Sequence, residues 1–146
     1  MEGIRNIDAR SSEGLRSVAG ATYRWLIGAY VLGVVVQFFL AGAGAFGEKV
    51  GVRLEDQKSW NPHRAFGFVL LVIGVVLLIV CLVWWSERIW LLATFLLALL
   101  GVVQIVLAGV GEDSRWVGAL HGANASLLLL LSSWLAYRAW LRDLRD

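Results

Sequence analysis

The sequence predicts an all-α integral membrane protein, a four-helix bundle built from two helical hairpins in tandem. Three observations predict it. Hydrophobic residues make up 59% of the 146 residues and charged residues 16%, against about 25% charged in ordinary soluble domains. A chain this short buries too little of its surface to hide that much apolar area from water, so lipid has to be its solvent. The apolar residues also fall into four runs, each close to the roughly 20 residues a helix needs to cross the hydrocarbon layer. Two of those runs carry the same short motif. Lipid offers backbone amides no partners, and helices satisfy them internally.

One domain is expected, with a polar N-terminal tail at 1–24, a bundle at 25–137 and a C-terminal cytoplasmic tail at 138–146. The first span covers about Trp25–Phe46 and is interrupted only by Gln37. The second covers about Ala65–Trp85 and carries no charge. The third covers about Ile89–Gly111 and is interrupted only by Gln104. The fourth covers about Trp116–Ala136 and carries His121, Asn124 and several serines. The first run is longer than the apolar stretch of a signal peptide and follows a charged tail, so it reads as a span, not a cleaved leader. In that tail Ile4, Ile7, Leu15 and Val18 lie among charges, which fits a surface or interfacial segment without chemistry of its own.

Lys and Arg set the orientation. The side holding the N-tail, the second turn and the C-tail has eight of them, and the other side has five. Both termini are therefore expected in the cytoplasm. Trp25, Trp84, Trp85, Trp90, Trp116 and Trp140 stand near span ends, as aromatic belts at the headgroup level do. The formal net charge of +2 and the lack of a recognition motif exclude a nucleic-acid partner. Cys81 is the only cysteine. It cannot form an intrachain disulfide and reads as a small buried hydrophobe.

The repeated motif lies in spans one and three. Gln37-Phe-Phe-Leu40-Ala41-Gly42-Ala43-Gly44 matches Gln104-Ile-Val-Leu107-Ala108-Gly109-Val110-Gly111, with a glutamate shortly after each. Spans two and four each begin with a histidine, His63 and His121, the only two in the chain. The halves therefore read as parallel repeats about an axis along the membrane normal. From His63, positions i+4, i+7 and i+11 are Gly67, Leu70 and Gly74; from His121 they are Ala125, Leu128 and Ser132. Each His heads a small–large–small stripe on one helical face. Asn61 is placed to cap the second helix and Pro62 to open its first turn.

Ionisable groups in a span are costly and carry a functional hypothesis by default. Two histidines on facing helices suit the axial positions of a haem iron, a cofactor that bundle cores accommodate. Zinc would need three or four protein ligands. Gly67 and Ala125 would make room for a flat ligand, and Arg64, Lys58 or Arg115 would meet its carboxylates. The plainer reading is that both histidines sit among headgroups and that the small stripes pack helices. Gln37 and Gln104 divide in the same way, between interhelical hydrogen bonding and support of a cofactor ligand.

The chain resembles one four-helix half of haem A synthase over about Trp25–Tyr137. In that family the second and fourth helices of each half carry a His at the outer end, and one such pair binds haem b; His63 and His121 stand at matching positions. His63-Arg64 resembles a His-Arg pair of the family. The chain is also similar to small four-span bacterial membrane proteins, which places it in a bacterial inner membrane. It departs from haem A synthase where Trp60 stands for an acidic residue three before the first His, where Gly122 follows His121 in place of Arg, and in lacking an outer-loop cysteine pair. The resemblance implies haem binding and does not carry over the oxidation of a haem methyl group.

The resulting expectation is a b-type, iron-containing membrane cytochrome with bis-His ligation, engaged in electron transport or carried as a haem-bearing subunit of a larger complex or a homodimer. Its cofactor-binding residues would be His63, His121, Arg64, Gly67, Ala125, Gln37 and Gln104, with the two histidines on the metal and no catalytic residue. Two readings stand beside it: a cofactor-free accessory subunit, and a haem-processing enzyme using Glu48, Glu55, Asp56, Glu112 or Asp113.

Overall fold

A computed structural model describes residues 2–49, 60–84, 87–111 and 114–143. It holds four α-helices: α1 (Glu2–Lys49), α2 (Asn61–Trp84), α3 (Arg88–Val110) and α4 (Arg115–Asp143). No strand occurs among the described residues. All four helices are long and apolar enough to cross a membrane, over Glu13–Phe46, Asn61–Trp84, Arg88–Val110 and Arg115–Arg142. The protein is an all-α, multi-pass bundle whose solvent is the lipid bilayer.

Each helix packs on its two neighbours in the cycle α1–α2–α3–α4, while the diagonal pairs stay apart. Successive helices are antiparallel. Gln37 of α1 meets His63 of α2, and Gln104 of α3 meets His121 of α4, at one end. At the other end Tyr23 stacks near Trp84 and Trp90. Both termini therefore emerge at the tryptophan end.

Residues 2–24 of the polar tail are helical and continuous with the first span. α1 runs on for 48 residues, about 72 Å at 1.5 Å per residue, so it extends well beyond a hydrocarbon layer about 30 Å thick. The cause is local. Residues 2–24 contain no proline to break the helix, and their Arg, Glu, Leu and Ala favour it. Hydropathy marks only the part of the helix that lipid must cover. For the same reason α4 continues to Asp143, past the expected end at 136. At the start of α2, Pro62 stands in the first turn as expected, and Asn61 is the first helical residue and not its cap, so the helix begins four residues earlier than its apolar run.

The core is a column of side chains on the inward faces. Tyr23, Ile27, Leu77, Leu97, Leu135, Thr94, Cys81 and Ser132 are fully buried. Tyr23, Tyr30 and Gln37 recur every seventh residue, which keeps them on one face of α1. The Tyr23 hydroxyl and Thr94 Oγ1 share a hydrogen bond of 2.7 Å, so two polar groups in the apolar core satisfy each other. Close approach of α1 and α2 depends on small residues: a Cβ at Gly33 would stand 2.6 Å from Leu70 Cδ2, and one at Gly20 would stand 2.9 Å from Trp84 Nε1.

The tryptophans divide. Trp25 and Trp116 are exposed at span ends, as a belt requires. Trp90 is buried and packs edge-on to Trp84 at 5.4 Å, so these two close the core at the tryptophan end instead of facing headgroups. Trp85 lies outside the described residues. Arg142 reaches Glu87 at 3.5 Å between exposed side chains, a pair worth little in stability.

Candidate functional site

The two halves build the same polar clasp. In the first, the His63 ring lies against α1, with Nδ1 3.3 Å from the Gln37 backbone carbonyl oxygen. In the second, His121 Nδ1 lies 3.1 Å from the Gln104 carbonyl oxygen. A carbonyl oxygen only accepts, so Nδ1 carries the proton in both rings and Nε2 carries the lone pair. The tautomer therefore follows from the acceptor. Each Gln side chain then folds toward the same ring, with Gln104 Nε2 donating to His121 Nε2 at 3.1 Å and Gln37 Nε2 standing 3.5 Å from His63 Nε2. Gly67 allows this on α2, since a Cβ there would come 3.1 Å from Gln37 Nε2.

The histidines belong to diagonal helices, yet their ring centroids lie 6.3 Å apart at an interplanar angle of 62°. They meet at the head of a cavity of about 560 Å³ lined by all four helices. All seven residues expected from the sequence, His63, His121, Arg64, Gly67, Ala125, Gln37 and Gln104, line this one cavity. Below the histidines its walls are apolar, with Val34, Leu70, Leu71 and Leu128 on the inner side. The stripes below each His face inward as their spacing predicts: Leu70, Gly74, Leu128 and Ser132 are all buried.

Of the cations expected at the rim, Arg64 lines the cavity. Arg115 does not; its guanidinium stacks over Trp116 at 5.2 Å. Lys58, Glu55, Asp56, Glu112 and Asp113 lie outside the described residues, as does the side chain of Glu48. Among the described residues no group of three or more His, Cys, Asp or Glu could hold a metal ion together, so of those residues the His pair is what a metal here would rest on. Cys81 is buried away from the cavity.

Two residues matter more than their sequence signal suggests. Asn124 donates to Gln104 Oε1 at 2.6 Å and to the Leu100 carbonyl at 3.0 Å. It lies three residues after His121, one turn along the same face, and that offset is the signal that finds it. The matching position after His63 is Phe66, which packs on the core and cannot donate. As a result Gln37 Oε1 is buried with no hydrogen-bond partner among the described residues. Trp60 is the other. Its ring lies edge-on to His63 at 5.7 Å and covers Gly44, where a Cβ would be 2.9 Å from the indole. The final glycine of the first motif is thus the seat of the Trp that walls His63.

Fold and site define a class: a four-span membrane bundle whose repeated halves each present one oriented imidazole to a central cavity. The chain belongs to a family of unknown function, DUF6220, whose model matches residues 37–111. That segment begins at Gln37 and ends at Gly111, so it includes both motifs and His63 and stops short of His121. No curated protein and no solved structure matches the chain.

Proposed function

We propose that this protein is a b-type haem protein of a bacterial inner membrane, with both termini cytoplasmic, serving electron transfer alone or as a subunit of a membrane complex. The observation that carries the reading is the pair of imidazoles 6.3 Å apart across the bundle, each with Nδ1 tied to a backbone carbonyl. His63 and His121 would hold the iron through their Nε2 lone pairs, and neutral imidazole nitrogens are ligands that haem iron takes. Metal-bound histidines commonly donate their other ring N–H to a carbonyl, which fixes the tautomer and the ring plane.

The cavity fits the cofactor in size and chemistry. Its volume of about 560 Å³ lies within the ~300–1,000 Å³ of small-molecule and cofactor sites. Gly67, Gly101, Ala108 and Ala125 on its walls leave space for a flat ring, and Arg64 at the rim suits a propionate. Bound haem would supply one-electron redox chemistry. The chain's part is to hold two neutral imidazoles at a fixed separation and to exclude water.

A second reading, a cofactor-free accessory subunit, is favoured by one observation. Gln104 and its backbone carbonyl already satisfy both nitrogens of His121. One experiment separates the two. Protein purified in detergent from haem-replete cells is expected to show a Soret band and a reduced α band after dithionite. Both should vanish in the His63→Ala/His121→Ala double variant. A colourless wild type refutes the haem reading and leaves the clasps as structural devices.

A further inference from the structure

The two clasps share a plan but not a strength, and the difference predicts how each histidine behaves toward a metal. His121 Nε2 receives a 3.1 Å hydrogen bond from Gln104. That amide is itself fixed by Asn124, which donates to its oxygen at 2.6 Å and to the Leu100 carbonyl. To become a ligand, His121 must give up this bond and leave a linked network with an unpaired donor. His63 gives up much less. Its Nε2 is 3.5 Å from the Gln37 amide, beyond the usual 2.7–3.2 Å range, because that amide is committed to the His63 carbonyl at 2.8 Å. The ring contacts differ in the same direction. Trp60 walls His63, whereas among the described residues the only ring recorded against His121 is His63 itself. Beside His121 the cavity is lined by Ala108, Gly109 and Gly122, which leave room for the imidazole to move.

We propose that the two histidines are unequal ligands: His63 is the anchor, and His121 is a displaceable ligand that returns to the Gln104–Asn124 network when a small neutral molecule takes its place. The incoming class is a diatomic ligand of ferrous iron, with carbon monoxide as the probe. This rests on the haem reading above and adds a ligand-binding activity to it. No net redox change is involved: His121 Nε2, on giving up the metal, would accept the Gln104 amide proton as a hydrogen bond, and the incoming diatomic would supply a lone pair in its place.

The test is spectroscopic and uses the full-length protein in detergent. His121→Ala is expected to retain haem with a five-coordinate spectrum, and His63→Ala to lose it. Dithionite-reduced wild type should bind carbon monoxide with a Soret shift. Gln104→Leu keeps the backbone carbonyl that orients the ring and removes the competing amide together with the acceptor of the Asn124 bond. It should weaken carbon monoxide binding roughly fivefold, the factor that one net hydrogen bond of about 1 kcal/mol supplies. Gln37→Leu should leave that affinity within about twofold. If a coloured wild type shows equal haem loss in both His variants, the inequality is overturned while the haem reading stands. The same holds if it binds no carbon monoxide, or if Gln104→Leu binds it as well as wild type does. A colourless wild type fails the haem reading instead.

Discussion

Replacing Asn124 with leucine tests whether the second clasp is a linked network. The substitution conserves approximate volume and removes two hydrogen bonds, one to the Leu100 carbonyl at 3.0 Å and one to Gln104 Oε1 at 2.6 Å. The two losses are unequal. Leu100 lies within α3, so its carbonyl keeps the helical ladder as partner. Gln104 Oε1 is left without a donor. Interhelical hydrogen bonds in membranes average about 0.6 kcal/mol, and orphaning a buried acceptor costs about 1–3 kcal/mol. Asn124→Leu should therefore destabilise the bundle by about 1–2 kcal/mol. The sharper result is the double variant. Asn124→Leu/Gln104→Leu removes that orphan but also the amide that donates to His121 Nε2, so it should cost about 1 kcal/mol less than the sum of the two single losses, a coupling of the kind shared networks show. Reversible unfolding in mixed micelles with increasing dodecyl sulfate, followed by Trp fluorescence, reads both numbers. If the two single losses simply add, Gln104 and Asn124 act independently and the network argument fails.

Gln37 Oε1 lacks a partner among the described residues, so Gln37→Leu relieves an orphan worth about 1–3 kcal/mol while giving up the amide bond to the His63 carbonyl, worth about 0.6 kcal/mol; it should be neutral to stabilising in the same assay, in contrast to Asn124→Leu. Tyr23→Phe removes a buried interhelical bond and should cost about 0.6–1.7 kcal/mol; an unchanged midpoint would mean that Thr94 finds an equal partner in its own helix. At Gly44 a leucine must displace the Trp60 ring, since even a Cβ would come within 2.9 Å of it. The expected result of Gly44→Leu is a shifted Trp emission and weakened haem retention, while Gly42→Leu, where no atom lies within 4 Å, should change neither. Single cysteines in a Cys81→Ser background test topology: Glu13→Cys and Arg142→Cys should react with an impermeant maleimide from the same face of sealed vesicles, and opposite faces would refute the four-span arrangement.

The fold was legible because lipid imposes one demand on every span, and the four apolar runs answer it directly. What the runs could not show is where the helices end. Hydropathy measures the part that lipid covers, whereas helix propensity carries α1 back to Glu2 and α4 on to Asp143. The site was legible in part for a different reason. His and Gln are rare enough in apolar helices that their repetition at matched positions stands out. Their pairing was hidden, because the acceptor that orients each ring is a backbone carbonyl, and every residue has one. Asn124 was hidden by its company, in a helix that also carries Ser126, Ser132 and Ser133. Trp60 was visible only as a residue out of place for haem A synthase, and Trp84 and Trp90 looked like headgroup anchors. Their real contacts, with His63 and with Tyr23, depend on which helix face meets which neighbour.

The divergence of the halves also bears on why a repeated bundle would keep polar groups in lipid at all. If the clasps only joined helices, the cheapest arrangement would satisfy both in the same way. The second half does so, with Asn124 closing the network. The first half instead places Phe66 at the matching position and leaves Gln37 Oε1 buried without a partner among the described residues, a cost of about 1–3 kcal/mol that helix packing alone does not require. Buried unpaired polar atoms in native structures call for a cause beyond stability. Here the orphan belongs to a side chain that lines the cavity, beside the histidine with the looser amide contact. Both halves line the cavity, one with its amide held in a network and the other with its amide oxygen left without a partner among the described residues. That asymmetry supports the proposal of two unequal ligands, and two equivalent helix clasps would not produce it.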